Sequence, residues 1–318
     1  MDYRKLGKTG LDVSPVCFGG NVFGWTLDEA ASFKMLDAMA AQGINFIDTA
    51  DAYSTWVPGN TGGDSEKIIG NWFKASGKRD KVILATKVGK PACGEAGGLK
   101  AAYILKAVDA SLQRLQTDYI DLYQAHDDDK STPLEETLGA FDKLVRAGKV
   151  RAIGASNYEG ARLAEALDVS KQHGLAAYAT LQPLYNLYDR EDFERDLAPV
   201  CLEHGVAVIN FFSLASGFLS GKYRGEDDLK KYSARGERVR KYLNPRGLRI
   251  LDALDSVAKE TASSPSTVAL AWLLRQPAVT SPIASATSDA QLASLVAAAS
   301  LKLSDDAVAR LSAASAAD

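Results

Sequence analysis

Cysteine and histidine are scarce in this sequence. The three cysteines are far apart and form no Cys-x-x-Cys pair: Cys17, Cys93 and Cys201. Such spacing excludes a disulfide-stapled scaffold and a zinc ribbon. Two of the three histidines, His173 and His204, stand directly before a glycine, a position typical of the last turn of a helix. His126 is therefore the one histidine left as a candidate for chemistry, and no metal site is predicted.

Long apolar runs and an excess of positive charge are missing as well. Lys and Arg number 37 against 40 Asp and Glu, a formal net charge of -3, whereas a protein that coats nucleic acid usually has a basic excess. No stretch approaches the ~18 apolar residues that a membrane-spanning helix needs. The start, MDYRKLGKTG, lacks the apolar core of a signal peptide. We therefore expect a cytoplasmic protein without nucleic-acid or membrane partners.

Eight short apolar runs alternate with longer segments of helical period. The composition, 46% hydrophobic and 24% charged, is ordinary for a globular protein, and we expect residues 1–318 to form a single domain. The predicted strands are 16–19, 44–48, 82–87, 120–124, 152–156, 180–182, 206–211 and 281–285. Strands that alternate with helices predict a parallel sheet, and eight such units predict a (β/α)8 TIM barrel. An open doubly wound sheet is disfavoured because no Gly-x-Gly-x-x-Gly motif follows the first strand.

Three further segments are expected around this barrel. Residues 3–6 and 11–13 flank a Gly-Lys-Thr-Gly turn and predict an N-terminal β-hairpin that plugs the barrel floor. After the seventh strand, residues 213–246 form a long, charged, glycine-rich loop of the kind that serves a binding site. The Ala/Ser-rich tail, 290–318, predicts one or two amphipathic helices.

Polar residues end successive strands of the predicted barrel. In such barrels the active site is built at the carboxyl ends of the strands. The residues at these ends are Asp48, Lys87, His126, Ser156, Asn157 and Gln182. A polar group at the same end of each strand indicates a shared site.

The segments that carry these residues resemble the aldo-keto reductases. In order along the chain they are 46–53 (FIDTADAY), 85–89 (ATKVG), 123–126 (YQAH), 153–157 (IGASN) and 181–186 (LQPLYN). The resemblance runs from residues 3–7 (YRKLG) to the segment around Ser285. It implies reduction of a small-molecule aldehyde or ketone by NADPH, with NADH as a plausible alternative cofactor. It also implies a catalytic tetrad of Asp48, Tyr53, Lys87 and His126.

Acid-base chemistry assigns a role to each member of this tetrad. A phenol with a pKa of about 10 is a poor acid at pH 7. We expect the ammonium group of Lys87 to lower the pKa of Tyr53, the proton donor, and Asp48 to keep that ammonium charged and in place. His126 is expected to donate a hydrogen bond to the substrate oxygen.

The resemblance also implies where the cofactor binds. Ser156, Asn157 and Gln182 would hold the nicotinamide carboxamide, and the ring of Phe211 would stack on the nicotinamide. Further implied cofactor residues are Leu214, Gly221, Lys222, Ser285, Thr287 and Gln291. The segment 282–292 contains no Lys or Arg, although NADPH-binding relatives usually place one there. We therefore expect NADPH to be preferred but NADH to be used within roughly a hundredfold, unless Lys222 or an arginine of the long loop supplies the charge.

The remaining expectations concern the residues that bind the substrate and two alternative functions. Val22, Phe23, Trp25 and Trp56 are predicted to form an apolar rim that favours medium-sized aldehydes or ketones over a highly charged substrate. One alternative is a redox-sensing regulatory subunit of the potassium-channel type, with slow turnover. Another is a metal-dependent lyase or hydrolase that uses the run from His126 to Asp129, although consecutive residues do not all face one ion. The sequence leaves the physiological substrate, the direction of reaction and the oligomeric state open.

Overall fold

Eight parallel strands form a barrel in the computed structural model, which describes residues 1–316 except for the side chains of 233–235. Two antiparallel strands precede it. The strands are β1 (Arg4–Lys5), β2 (Asp12–Val13), β3 (Cys17–Gly19), β4 (Phe46–Asp48), β5 (Ile83–Val88), β6 (Ile120–Ala125), β7 (Val150–Ser156), β8 (Tyr178–Gln182), β9 (Ala207–Val208) and β10 (Ile283–Ala284). Strands β3 to β9 pair in chain order, and β10 pairs with β3.

Backbone hydrogen bonds between the β9 region and the β10 region close the sheet into a barrel. The N–H of Thr280 donates to the carbonyl of Val208 at 2.8 Å, and the N–H of Ile283 donates to the carbonyl of Asn210 at 2.9 Å. The predicted (β/α)8 barrel is thus confirmed. Strand β9 is shorter than predicted. Beyond it the N–H of Phe211 donates to the carbonyl of Pro183 at 2.9 Å, but proline has no N–H with which to continue the ladder.

Helices alternate with the strands as the apolar periodicity predicts. They are α1 (Glu29–Ala41), α2 (Asp64–Ser76), α3 (Ala101–Leu115), α4 (Leu134–Arg146), α5 (Gly160–His173), α6 (Ala198–His204), α7 (Glu226–Lys231), α8 (Ser233–Val239), α9 (Pro245–Glu260), α10 (Pro265–Leu274), α11 (Asp289–Ser300) and α12 (Asp305–Ala314). His173 and His204 end α5 and α6, and each is followed by a glycine in the left-handed conformation, as expected. Within the part of the chain that the structure describes, no helix is long and apolar enough to cross a membrane.

The β1–β2 hairpin plugs the amino-terminal end of the barrel. Leu6, Leu11 and Val13 are buried and pack in one cluster with side chains of the barrel interior, including Phe46. Gly7 has a φ of +53°, and a Cβ there would lie 2.9 Å from the carbonyl oxygen of Ala179, so the turn requires glycine. The hairpin therefore closes the barrel interior at this end.

The long loop after β9 is partly helical. It contains a 3-10 turn at Ala215–Ser220 and the helices α7 and α8. The tail forms α11 and α12, as predicted, and α12 packs on α9. These elements place the loop at the end of the barrel where the polar strand ends meet.

A glycine in α2 tests how tightly α2 packs on α3, and a glycine in α4 serves as the comparison. A Cβ at Gly70 in α2 would lie 2.2 Å from the carbonyl oxygen of Arg114, which is backbone and does not move cheaply. We expect Gly70→Ala to destabilise the protein by ~1–3 kcal/mol. Gly139 in α4 has nothing within 4 Å of the same position, so Gly139→Ala should stabilise by ~0.5–1 kcal/mol. Urea unfolding followed by circular dichroism measures both, and a neutral or stabilising effect of Gly70→Ala would contradict the close contact.

Candidate active site

Three side chains of the predicted tetrad form a closed triangle of hydrogen bonds. Lys87, in β5, places its Nζ 2.6 Å from Oδ2 of Asp48, at the end of β4, and 2.7 Å from Oη of Tyr53. The Tyr53 hydroxyl donates to the same carboxylate oxygen at 2.9 Å. The third hydrogen bond of the ammonium goes to the carbonyl of Thr49 at 2.9 Å. All three N–H groups of the Lys87 ammonium therefore donate to the end of β4 and the turn after it.

Two amide side chains complete the surroundings of the Asp48 carboxylate. Its Oδ1 accepts from Nε2 of Gln182 at 2.9 Å and from Nε2 of Gln124 at 3.2 Å. Asp48 and Lys87 are both 0% exposed, and a buried ion pair is tolerated only when its remaining donors and acceptors are satisfied. Sequence reasoning missed Gln124, although a polar side chain near the carboxyl end of a buried strand was the available signal.

Burial decides the protonation of Tyr53. Burial first, and then the Asp48 carboxylate, raise the pKa of Tyr53 well above its usual value. The net shift is opposite in direction to the lowering expected from Lys87. The Tyr53 hydroxyl donates to the Asp48 carboxylate, and this hydrogen bond favours the protonated phenol in addition to burial. Tyr53 is therefore a protonated phenol at neutral pH.

His126 lies beside Tyr53 as a neutral imidazole. The two ring centroids are 6.1 Å apart, nearly edge to face. Burial, and then the positive charges of Lys87 and Lys90, hold the pKa of His126 well below its usual value. Its Nδ1 is buried and has no hydrogen-bond partner among the described residues. A neutral imidazole still carries one N–H that donates a hydrogen bond.

Tyr53 and His126 open onto a cleft of about 1040 Å³. This volume lies at the upper end of the roughly 300–1,000 Å³ of sites that hold a drug-sized ligand. The cleft brings together most of the predicted cofactor residues: Ser156, Asn157, Gln182, Phe211, Leu214, Lys222, Ser285, Thr287 and Gln291. Gly221 is the exception, because it ends the 3-10 turn beside Arg224 and does not line the cleft.

The predicted apolar rim is only partly at the cleft. Val22 and Trp56 line it, and Trp25 meets the Trp56 ring edge-on at 5.7 Å without lining it. Phe23 is fully buried and stacks on Phe18 at 5.7 Å, which corrects its expected place on the rim. The reason is the 3-10 turn at Gly20–Val22, which directs the following side chain back into the core.

Positive side chains line the cleft at two places. Lys222, Lys231 and Arg238 belong to the long loop after β9 and share the cleft with Ser285 and the residues after it. Lys90 follows β5 and lines the cleft near Tyr53. Sequence reasoning named Lys222 and the arginines of residues 235–240. Lys222 and Arg238 line the cleft and Arg240 does not, while the side chain of Arg235 lies outside the described residues. Lys90 and Lys231 were missed.

The acidic run after His126 is divided among separate partners. Asp127 pairs with Lys90 at 3.4 Å, and Asp128 pairs with Arg162 at 3.1 Å. Asp129 accepts hydrogen bonds from the N–H of Leu99 and from two hydroxyl groups. These three carboxylates therefore do not converge on one point.

Comparison with known proteins covers nearly the whole chain. A sequence model described as the Aldo/keto reductase family matches residues 15–316. The chain belongs to the aldo/keto reductase family. Members of this family are oxidoreductases that generally use nicotinamide cofactors and act on small carbonyl compounds.

Individual relatives align over most of their own length. The chain is 37% identical to "Uncharacterized oxidoreductase YrpG" of Bacillus subtilis, over 89% of this chain and 86% of the relative. It is 33% identical to "Protein tas" of Escherichia coli, over 98% and 97%. It is 31% identical to "Probable voltage-gated potassium channel subunit beta" of Arabidopsis thaliana, over 92% and 89%.

A second buried polar network in this aldo/keto reductase lies behind the triangle. Glu66, in α2, accepts from Oγ1 of Thr86 at 2.6 Å and from Nε of Arg114 at 2.7 Å. Asp51 lies close to this pair, and its buried Oδ1 has no hydrogen-bond partner among the described residues. Burial, and then the negative charge of Glu66, raise the pKa of Asp51 to about 8.

Asp51 makes stability depend on pH. An unfolded aspartate has a pKa of about 3.9, so the folded protein binds an extra proton between pH ~4 and ~8, and stability falls as the pH rises through this window. We expect Asp51→Asn to gain at least ~1 kcal/mol relative to the wild type between pH 5 and pH 8. Urea unfolding at a series of pH values measures this. Asp109→Asn, at an exposed position of α3, is the control, and parallel pH curves for wild type and Asp51→Asn would contradict the assignment.

Proposed function

We propose that this protein is an NAD(P)H-dependent carbonyl reductase that acts in the cytoplasm and converts aldehydes or ketones to alcohols. The observation that carries the proposal is the triangle of Tyr53, Lys87 and Asp48 at the base of a cleft that His126 also lines. Carbonyl reduction needs a proton donor such as the protonated phenol of Tyr53.

The residues of the cleft fit a nicotinamide dinucleotide. Ser156, Asn157 and Gln182 line the cleft at the ends of β7 and β8. Because Nε2 of Gln182 donates to Asp48, Gln182 would offer its amide oxygen to the N–H groups of a carboxamide. Phe211 presents an aromatic face, and the cations of the long loop suit phosphate groups. Asn157 adopts a φ of +57°, which asparagine tolerates better than most residues, and its Nδ2 donates to the carbonyl of His126 at 2.9 Å. The side chain of Asn157 thus links the proposed carboxamide site to the backbone of His126.

The chain's own residues supply the proton and orient the substrate. When bound, the reduced nicotinamide provides a hydride for the carbonyl carbon. The N–H of His126 donates to the carbonyl oxygen, and the Tyr53 hydroxyl gives its proton to that oxygen. Lys87, 2.7 Å from the phenol oxygen, stabilises the negative charge that this transfer leaves on Tyr53 until solvent returns a proton. Asp48 keeps the lysine charged and fixed.

Substitution of the phenol tests the proton donor. Tyr53→Phe keeps the ring but removes the hydroxyl, so carbonyl reduction should fall at least ~100-fold. Cofactor binding, measured by quenching of protein fluorescence, should persist. Tyr119→Phe, outside the cleft, should retain activity. If Tyr53→Phe kept more than a tenth of wild-type turnover, another group would be the acid.

Cations from the long loop favour NADPH. The expectation of substantial NADH use rested on the lack of Lys or Arg after β10. Lys222, Lys231 and Arg238 line the same cleft as Ser285, Thr287 and Gln291, and we propose that they hold the 2′-phosphate. NADPH preference should then exceed the hundredfold expected from the segment after β10 alone.

Arg238→Gln tests this source of charge. It should lower the NADPH-to-NADH ratio of kcat/KM by about 10-fold or more, because one charge-assisted hydrogen bond is lost, and leave NADH kinetics nearly unchanged. Arg240→Gln is the matched control, because Arg240 pairs with Glu226 and Glu237 and does not line the cleft. An unchanged ratio in Arg238→Gln would remove this arginine from phosphate binding.

A regulatory nicotinamide-binding subunit is the second candidate function. The similarity to a protein named as a probable potassium-channel β-subunit favours it. Steady-state turnover separates the two functions. A panel of aldehydes and ketones, read at the absorbance band of reduced nicotinamide with NADH and NADPH in parallel, should give sustained multiple turnovers for a reductase and very slow turnover for a sensor.

A further inference from the structure

The cleft carries a positive charge that the chain as a whole lacks. Four of the residues that line it are Lys or Arg, namely Lys90, Lys222, Lys231 and Arg238. Among the described residues none of its lining side chains is Asp or Glu, although the chain has a net charge of -3. A positive cleft with low-dielectric walls concentrates anionic ligands.

These cations are divided between the two ends of the cleft. Three of them come from the loop after β9, whose 3-10 turn packs on α10. Helix α10 in turn packs on α11, which carries Gln291, at the side that the proposed function gives to the cofactor phosphates. Lys90 instead follows β5, three residues after Lys87 in the sequence. It shares the cleft with Tyr53, Trp56 and His126. The cofactor phosphates therefore do not account for Lys90.

Lys90 lies within electrostatic reach of the reacting groups. Its charge is one of the causes that lower the pKa of His126, and it also lowers that of Lys87. Positive charge at the substrate end thus lowers the pKa of the imidazole further than burial alone does. A substrate that brought a negative charge to this position would be attracted by the same field.

The ion pair that Lys90 makes is a weak one. Its Nζ lies 3.4 Å from Oδ2 of Asp127, and the two side chains are 37% and 46% exposed. The buried pair between Lys87 and Asp48 is 2.6 Å long. An exposed ion pair with a long N–O distance contributes little to stability. The ammonium group of Lys90 can therefore leave Asp127 and bind a ligand anion at a small cost in free energy.

We propose that Lys90 binds a carboxylate of the substrate, so that the enzyme acts on carbonyl compounds that carry a carboxylate away from the reacting carbonyl. The inference rests on the proposed carbonyl reduction and names its substrate class. Trp56 and Val22 line the same end and suit an apolar or aromatic spacer between the two groups. A carboxylate fits better than a phosphate ester, because phosphate sites usually combine several donors and Lys90 is a single point charge at this end.

This substrate class is narrower than the medium-sized aldehydes and ketones that the apolar rim alone indicated. The rim still binds the middle of the molecule, but Lys90 selects its far end. Lys90 acts here as a specificity residue, because it takes no part in the transfer of hydride or proton.

A matched pair of aldehydes tests the proposal. 4-Formylbenzoate and 4-formylbenzamide have the same shape and differ in charge. With NADPH, the wild type should have a higher kcat/KM for the carboxylate, and Lys90→Met should lower that value about tenfold, mainly through KM. The amide should change less than twofold, and Lys90→Arg should retain the preference. Asp127→Asn should raise kcat/KM for the carboxylate, because the competing partner is removed.

Two controls separate charge at this position from charge in general. Lys130→Met removes a lysine that pairs with Glu159 at 3.3 Å and does not line the cleft, so both substrates should be unaffected. Added KCl should weaken the carboxylate preference of the wild type, because the pair is partly exposed.

The outcomes distinguish this inference from the function on which it rests. If the wild type reduces the amide but shows no preference for the carboxylate, or if Lys90→Met alters both substrates equally, the inference is overturned and the reductase remains. If the wild type reduces neither substrate nor benzaldehyde with either cofactor, the proposed reductase function is overturned, and the substrate class with it.

Discussion

The buried ion pair between Asp48 and Lys87 is the interaction on which the site depends. Neither side chain is exposed, and such a pair persists only if every other donor and acceptor is satisfied. The groups that satisfy it come from separate parts of the barrel: the turn after β4, β6 and β8. Removal of one partner of a buried pair typically costs ~3–5 kcal/mol, so the closed barrel and the tetrad support each other. The hairpin beneath keeps water out from the other end.

Features set by local sequence were predictable, and features set by packing were not. Apolar runs of strand length and helical periodicity identify the barrel, and the rule that strand ends converge identifies Asp48, Lys87 and His126. The direction of a side chain after a tight turn depends on its neighbours, which is why Phe23 is in the core. The pKa of Tyr53 depends on the depth of burial of the phenol and on its contact with Asp48, and the sequence measures neither.

Net charge conceals how charge is distributed in this protein. The chain is slightly acidic, yet the described lining of the cleft contains Lys and Arg and no acidic residue. Several nearby carboxylates pair with cations away from the lining, such as Asp128 with Arg162 and Glu237 with Arg240. An anionic cofactor or substrate is therefore attracted to the cleft despite the overall charge. The net charge of the sequence does not show that the cations line the cleft while these carboxylates lie away from it.

Strand β5 joins the catalytic triangle to the network behind it. Successive side chains of a strand point to opposite faces, so Lys87 points into the barrel toward Asp48 while Thr86 points outward and donates to Glu66. The outer network also stays close to neutral, because Glu66 is paired with Arg114 and the raised pKa of Asp51 keeps that carboxyl protonated at neutral pH. Both faces of one strand thus carry compensated charges. This compensation allows a lysine to remain fully buried 2.7 Å from the phenol whose proton it helps to release.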